Sequence, residues 1–335
     1  MRRPIERMWI VWESQRRSVE LGGRLGCSFH VYDIRGLRRY PLSIAGTLSL
    51  LVRFRPRCLF VQNPSMILAA IACVYGVLSG NVVVVDRHTS FPHLSKIPYL
   101  AHPRPLSVRR HVFNLLHRFT LRTADLTIVT TSYLAELVRE AGGRPFVLPD
   151  PIPALARRAV PQLQGRKNVL VISSFVEDEP IAEVLGAARH LDDPSVRIYF
   201  SGNHRKGDVD WTAQAPPNVV FTGFLSSADF VDLLFAVDAV VVLTTVDHCL
   251  LCGCYEAVAA DKPLITSDTT ALREYFHGAE FVEAQAESIL GGLRRVLHDL
   301  ETYRARTEEM RAKLGADWER AFNDLEREIA GARRR

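Results

Sequence analysis

Residues 244–268, TTVDHCLLCGCYEAVAADKPLITSD, constrain this chain more than any other stretch. The β-branched, apolar run at 239–243 enters it as a buried strand, a loop containing Gly253 follows, and residues 255–260 start a short helix. Lys262 and Pro263 stop that helix, and 264–266 is again apolar and β-prone. The unit is strand, loop, helix N-terminus. It aims unpaired backbone N–H groups and a positive partial charge at whatever lies in front, so its natural ligand is an anion such as a diphosphate. Glu256, expected on the first turn, is favoured by the dipole and offers two oxygens to a ribose diol. A helix-start carboxylate with only a capping role is the alternative.

The same alternation runs through the whole chain. Strand patterns at 8–12, 29–33, 58–61, 82–85, 126–130 and 146–148 are separated by helical ones, and 169–172, 197–201 and 219–222 lead on to the 239–243 strand. This is an α/β chain of doubly wound parallel sheets. Its 335 residues hold two domains of ordinary size. The proline-rich stretch at 149–165 marks their boundary: a first domain at 1–150, a linker at 151–165, a second domain at 166–315, and a terminal helix at 316–335.

Charge divides along the same line. Residues 1–150 carry 21 Lys and Arg against 9 Asp and Glu, out of 42 and 37 in the chain, so the first half is basic and the second acidic. The arginines flank apolar helices, a combination that suits an anionic membrane surface. Cys27, Cys58, Cys73, Cys249, Cys252 and Cys254 are scattered in a chain that opens without an apolar leader, which reads as reduced thiols in a cytoplasmic setting. The 66–85 segment approaches bilayer length, but Gly76, Ser79, Gly80 and Asn81 interrupt it; a buried helix and strand are expected, not a span.

Residues 244–268 resemble the donor-site motif of GT-B-fold glycosyltransferases, in the retaining group that carries a Glu, seven residues, Glu pattern before a small-residue helix, Lys-Pro and a strand ending in Ser-Asp. Glu256 matches the second glutamate, which the resemblance makes the ribose ligand. His248 stands where the first belongs, so the pattern is broken there. The run VQNPSMILAAIACVYGVLSGNVVVVDRH is similar to the corresponding part of glycosyltransferases that mannosylate polyprenyl or dolichyl diphosphate-linked sugars. The resemblance implies two Rossmann-like domains facing a cleft, the terminal helix returning to the first. It also implies a nucleotide diphosphate-sugar donor, UDP- or GDP-linked, and a lipid-linked or saccharide acceptor.

Strand ends supply the candidate residues, because ligands of open α/β sheets lie beyond the carboxyl ends of the strands. For the donor nucleotide these are Ser173, Ser174, Gly202, Asn203, Arg205, Lys206, Gly223, Phe224, Leu225, Gly253 and Glu256; Asp247, His248 and Cys252 face the sugar and diphosphate. Glu177, Asp178 and Glu179 stand where the family normally places an Arg and a Lys, which leaves Arg205 or Lys206 to take the charge role. Ser14, Arg16, Arg17 and Asn63 are candidates for the acceptor, or form a polar helix start. His88 with Asp86 offers a base for the acceptor hydroxyl, with Glu13 next in line. No metal or other cofactor is required if the helix N-terminus and basic side chains stabilise the leaving diphosphate.

Other classes lack their parts. No GxGxxG follows a strand pattern, no Gly-rich loop ends in Gly-Lys-Ser/Thr, and no Gly-x-Ser-x-Gly elbow appears. Nucleic-acid binding would rest on the basic half alone. The leading reading is a cytoplasmic glycosyltransferase peripheral to a membrane. Two others use the same fold: a non-catalytic relative that binds a nucleotide or scaffolds a partner, and a sugar-nucleotide epimerase.

Overall fold

Strands arise here where an apolar run has both of its faces covered. In β1 (Arg7–Val11) Met8, Trp9, Ile10 and Val11 are all fully buried, as expected of a central parallel strand with helices on either side. The computed structural model describes residues 6–36, 38–63, 65–87, 108–206 and 209–332. His88 and residues 89–105 lie outside them. The chain divides into two units, Met1–Asp150 with Glu319–Arg335, and Pro151–Trp318.

The first unit continues with α1 (Arg16–Arg24), β2 (Ser28–Val31), α2 (Arg39–Phe54), β3 (Cys58–Asn63) and α3 (Met66–Ser79). It is completed by β4 (Val82–Arg87), α4 (Val108–Thr123), β5 (Leu126–Val129), α5 (Ser132–Glu140) and β6 (Pro145–Val147). The strands form one parallel sheet in the order β2-β1-β3-β4-β5-β6. Met8, Ile10 and Trp12 point to one face and pack with Leu51 of α2 and Leu68 and Ala72 of α3. Trp12 Nε1 donates to Thr47 Oγ1 of α2 at 3.0 Å, which satisfies its one polar atom inside this layer. Trp9 points to the other face and stacks on Phe60 at 5.3 Å. Ser65 caps α3 by accepting from Leu68 N, and Gly80 ends it in the left-handed region at φ 74°. Thr131 caps α5 by accepting from Leu134 N.

The second unit runs β7 (Lys167–Ile172), α6 (Ile181–Arg189), β8 (Val196–Ser201), α7 (Trp211–Gln214), β9 (Val219–Gly223), α8 (Ser227–Ala236) and β10 (Ala239–Val242). Then follow α9 (Cys252–Ala259), β11 (Leu264–Ser267), α10 (Thr270–Tyr275), β12 (Glu280–Val282), α11 (Ala286–His298) and α12 (Leu300–Gly331). Its parallel order is β12-β11-β10-β7-β8-β9. The short α7 and β12 go beyond the sequence patterns. The 151–165 stretch packs on this unit: Arg158 N and Ala159 N donate to Asp232 Oδ1, and Ile152, Leu155 and Leu163 cover the core. The 319–331 part of α12 belongs to the first unit. There Phe322 lies under the Arg24 guanidinium, and Glu319, Glu326 and Glu328 pair with Arg24, Arg7 and Arg144.

In each sheet the chain reverses its winding once, between β1 and β3 in the first and between β7 and β10 in the second. The connections leave these neighbouring strands in opposite directions, and ligands of open α/β sheets lie in the crevice beyond such a point. In the second unit Gly202, after β8, lies so close to the loop after β7 that an added Cβ would fall on the Ser173 carbonyl. Its φ of 110° is itself a glycine conformation. Gly202→Ala should therefore cost about 1–3 kcal/mol in backbone strain alone, with the clash added. Urea unfolding should show a lower midpoint at an unchanged slope.

Candidate functional site

The crevice of the second unit opens between the loops that leave β7 and β10. The first, Ser173 to Glu179, wraps around one carboxylate. Glu179 Oε2 accepts from Ser173 Oγ at 2.6 Å, Ser174 N at 2.9 Å and Phe175 N at 2.8 Å, while Oε1 accepts a second bond from Ser174 N at 3.0 Å. Backbone N–H groups converging in this way form a nest for an anion, and here the chain's own side chain fills it. Phe175 takes a left-handed φ of 53° to make the turn and packs its ring against Phe200, Phe221 and His204.

Asp178 ties this loop to the next. Its carboxylate accepts from Thr244 Oγ1 at 3.0 Å, and its carbonyl accepts from Thr245 N at 2.7 Å and Thr245 Oγ1 at 3.2 Å. Thr244 N in turn donates to Ser267 Oγ, whose hydroxyl donates back to the Thr244 carbonyl, so β11 joins the same lattice. None of Asp178, Glu179, Thr244 and Ser267 is among the residues that the sequence suggested as ligands. Their signal, three consecutive acids after a strand, reads as a departure from a phosphate clamp until the nest is seen.

Beyond Thr245 the chain reaches Asp247, whose Oδ1 accepts from His248 N at 2.6 Å and from Ala271 N at 3.5 Å. Partial burial pushes the Asp247 carboxyl up, but these backbone donors outweigh it and leave it below its ordinary value. Asp247 is thus anionic at neutral pH. It borders a polar cavity of about 570 Å³ shared with Thr245, Asp268, Thr269, Thr270, Arg273 and Glu274. His248 sits at the loop's turn with φ 65°.

Helix α9 begins at Cys252, three residues before the helix start expected from sequence, and it contains Gly253. Glu256 therefore falls in the second turn, where the dipole contributes little; this corrects its expected place on the first. It stays half-buried. Gly253 is buried, and a Cβ on it would crowd Val242 and Ile172, the last residues of β10 and β7. Glycine thus lets the helix N-terminus press against the crevice floor. Cys252, beside it, is exposed, whereas Cys254 is buried.

The remaining donor candidates line the same edge of the sheet. Ser173 is buried and Ser174 exposed; Asn203, Arg205 and Lys206 are exposed on the turn after β8, where Asn203 Oδ1 accepts from Arg205 N. Gly223 ends β9 at φ 72°, Phe224 beyond it is 88% exposed, and Leu225 packs partly into the core.

The acceptor candidates lie at the carboxyl edge of the first sheet. Glu13, Ser14 and Arg16 are exposed, with Glu13 3.6 Å from Arg39 and Arg16 3.8 Å from Glu20. Asn63 ends β3, and its side chain lies outside the described residues. Gln62 of β3 donates to Gln15, beyond the end of β1, a pair that sequence reasoning missed.

Arg17 and Asp86 do not fit the roles expected of them. Both are buried, and Arg17 Nε lies 3.1 Å from each Asp86 oxygen. Arg17 also donates to Asp150 at 2.5 Å and to the Leu148 carbonyl at 2.8 Å. Burial pulls the Arg17 guanidinium down, but Asp86 and Asp150 outweigh it and leave it raised. A guanidinium so engaged has little left for an acceptor. The pair instead clamps α1 to the ends of β4 and β6.

Residues 155–313 match the family described as Glycosyl transferases group 1. No curated protein matches the chain. Among solved structures it is similar to sucrose-phosphate synthase from Thermosynechococcus elongatus, with a TM-score of 0.72 at 14% identity over 99% of this chain and 100% of that one. HepE of Anabaena, in complex with UDP, superposes with a TM-score of 0.70 at 12% identity over 98% and 100% of the two chains. A glycosyltransferase from Rickettsia africae gives 0.70 at 9% identity over 98% of each. The fold is GT-B, and the residues that match the group 1 model, 155–313, lie in the second unit.

Two outcomes test this geometry. Asp86→Asn removes one partner of a buried ion pair and should cost about 3–5 kcal/mol in urea unfolding, of which Arg17→Met in the same chain restores a large part. Burial pushes the Cys254 and Cys58 thiols up to about 12. Both stay protonated at mildly alkaline pH, so iodoacetamide followed by peptide mapping should find Cys252 modified in the folded protein and Cys254 and Cys58 only after unfolding.

Proposed function

We propose that the second unit binds a nucleotide diphosphate-sugar, UDP- or GDP-linked, and that the protein transfers the sugar to a lipid-linked or saccharide acceptor. One observation carries this reading: the N-terminus of α9, with Gly253 flush against the ends of β7 and β10, stands at the point where the sheet reverses its winding. Phosphates are held at such points by backbone N–H groups. The group 1 match over residues 155–313 and the UDP and UDP-glucose complexes of HepE, a neighbour of the same fold, support it. They make UDP the first base to test.

In this reading the diphosphate lies against the first turn of α9, and Glu256 reaches the ribose hydroxyls. Asp247 and His248 meet the sugar beside the polar cavity. Exposed Phe224 offers an apolar face to the base, and Arg205 and Lys206 supply positive charge, because the loop after β7 has none to give. Asp86 is committed to Arg17, so the hydroxyl's base is His88 or Glu13, of which Glu13 is exposed at the end of β1. Leaving-group stabilisation by helix N–H groups and cations needs no metal.

The Glu179 carboxylate in the nest after β7 favours a second reading, a GT-B protein that binds a nucleotide without transferring the sugar, because the anion site of that loop is already filled. Release of free UDP from UDP-sugars, with and without a polyprenyl diphosphate-linked saccharide, separates the two. Transfer requires release that depends on acceptor, whereas binding alone gives none.

A thermal-shift series with UDP, GDP and their sugars should raise the melting point with one base in preference to the other. Glu256→Gln should then weaken that nucleotide by about 1–3 kcal/mol in calorimetry, through loss of a charge-assisted hydrogen bond. Unchanged affinity in a folded variant would remove the ribose assignment.

A further inference from the structure

The first unit has a surface that donor binding leaves unused. Helix α3 carries no charged residue, and its outward side shows Val74, Val77 and Leu78, the last 81% exposed. Leu42, Leu48 and Val52 of α2 and Val112 and Leu115 of α4 are likewise exposed. An open groove of about 770 Å³, floored by Leu51, Ile67 and Ile71, runs between these helices. So much contiguous apolar surface marks a contact site.

Charge identifies what it contacts. Between residues 34 and 85 the chain has no Asp or Glu, and from 34 to 124 the single acid is Asp86, which is buried against Arg17. Arg53, Arg55 and Arg57 stand exposed around the α2 end of the groove, with Arg55 in its wall, and Arg118 is exposed on α4. The acidic end of α12 pairs with Arg7, Arg24 and Arg144 of β1, α1 and the turn before β6, none of which borders the groove. Isologous pairing of two such faces would set arginines against arginines in an apolar setting, which disfavours a second copy.

We propose that the α2–α3–α4 face docks on the surface of an anionic lipid bilayer, its aliphatic side chains entering the headgroup and acyl boundary while Arg53, Arg55 and Arg57 meet lipid phosphates. Apolar burial and phosphate attraction act together, and neither needs a helix that spans. Among the described residues no helix is long and apolar enough to cross a membrane. The inference is independent of the donor reading, since no residue of the second unit takes part.

Flotation of the full chain with phosphatidylcholine vesicles, with and without phosphatidylglycerol, tests it. Binding should require phosphatidylglycerol and weaken as salt rises, because the attraction is screened beyond about 8–10 Å at physiological ionic strength. Val52→Glu with Leu78→Glu, both at exposed positions, and separately Arg53→Ser with Arg57→Ser, should each lower the apparent affinity about tenfold or more, with circular dichroism unchanged. Equal binding to neutral vesicles, no binding to either, or full binding by both variants would overturn the proposal. Concentration-dependent dimers in sedimentation that Leu78→Glu abolishes would overturn it in favour of a second copy. The melting-point rise with UDP is read separately, so failure of one proposal leaves the other standing.

Discussion

The carboxyl edge of the second sheet is organised by the Glu179 carboxylate. With Ser173 Oγ, Ser174 N and Phe175 N all directed at it, the loop after β7 closes around this side chain. Hydrogen bonds to an ionised acceptor contribute about 1.5–3 kcal/mol each, more than the roughly 1–2 kcal/mol that a left-handed Phe175 costs. The closed loop delivers Asp178 to Thr244 and Thr245, and those bonds fix where the chain leaves β10. Asp247, His248 and the start of α9 follow from that exit. The loop after β10 is thus positioned by two acids whose carboxylates are engaged by the chain itself.

A filled nest redistributes the electrostatics of the crevice. Where an empty nest would present N–H dipoles to a phosphate, this loop presents Glu177, Asp178 and Glu179, and Asp247 adds an anion from the other side. Under the proposed donor binding, a diphosphate would be repelled from the β7 side and drawn to the α9 side, where the helix N-terminus is held flush by Gly253. Arg205 and Lys206 stand exposed on the turn after β8, and Arg273 lines the cavity beside Asp247. The same negative loop suits hydroxyl-rich groups, since ionised carboxylates accept from several donors at once.

The repeating pattern of the elements was legible because parallel strands with both faces covered read as continuous apolar runs, and Gly, Pro and Ser-Asp clusters punctuate them. Three kinds of feature were not. Strand β12 is only Glu280 to Val282 and takes its conformation from pairing with β11, which no local pattern announces. Helix α9 begins within Cys-Gly-Cys, residues of poor helix propensity, because Gly253 earns its place through packing on Val242 and Ile172 rather than through intrinsic preference. Misplacing that start by three residues put Glu256 on the wrong turn. The pairing of Arg17 with Asp86 spans 69 positions, so a strand-end acid and a helix-start arginine each looked available when each satisfies the other. Candidates drawn from strand ends gather at the carboxyl edge of each sheet; whether a side chain is free or turned to a buried partner depends on contacts that spacing does not encode.

Charge counts behave in the same way. The excess of arginine in the first 150 residues says little until the fate of its carboxylates is known. Asp86 and Asp150 are turned to Arg17, and Asp125 accepts from the backbone of Val83, so these acids are removed from the surface balance. Glu136 and Glu20 pair with neighbours on their own helices. The chain does bring acids back to this unit, on the 319–331 part of α12, but they engage Arg7, Arg24 and Arg144. Exposed ion pairs of that kind contribute about 0–1 kcal/mol each, so their main effect lies in where charge is cancelled rather than in stability. Cancellation on the α1 side and none beside α3 gives one unit two electrically different faces, and the uncancelled one is also the more apolar. Hydrophobic and electrostatic attraction to an anionic surface then act at one place, which a count of arginines alone would not locate.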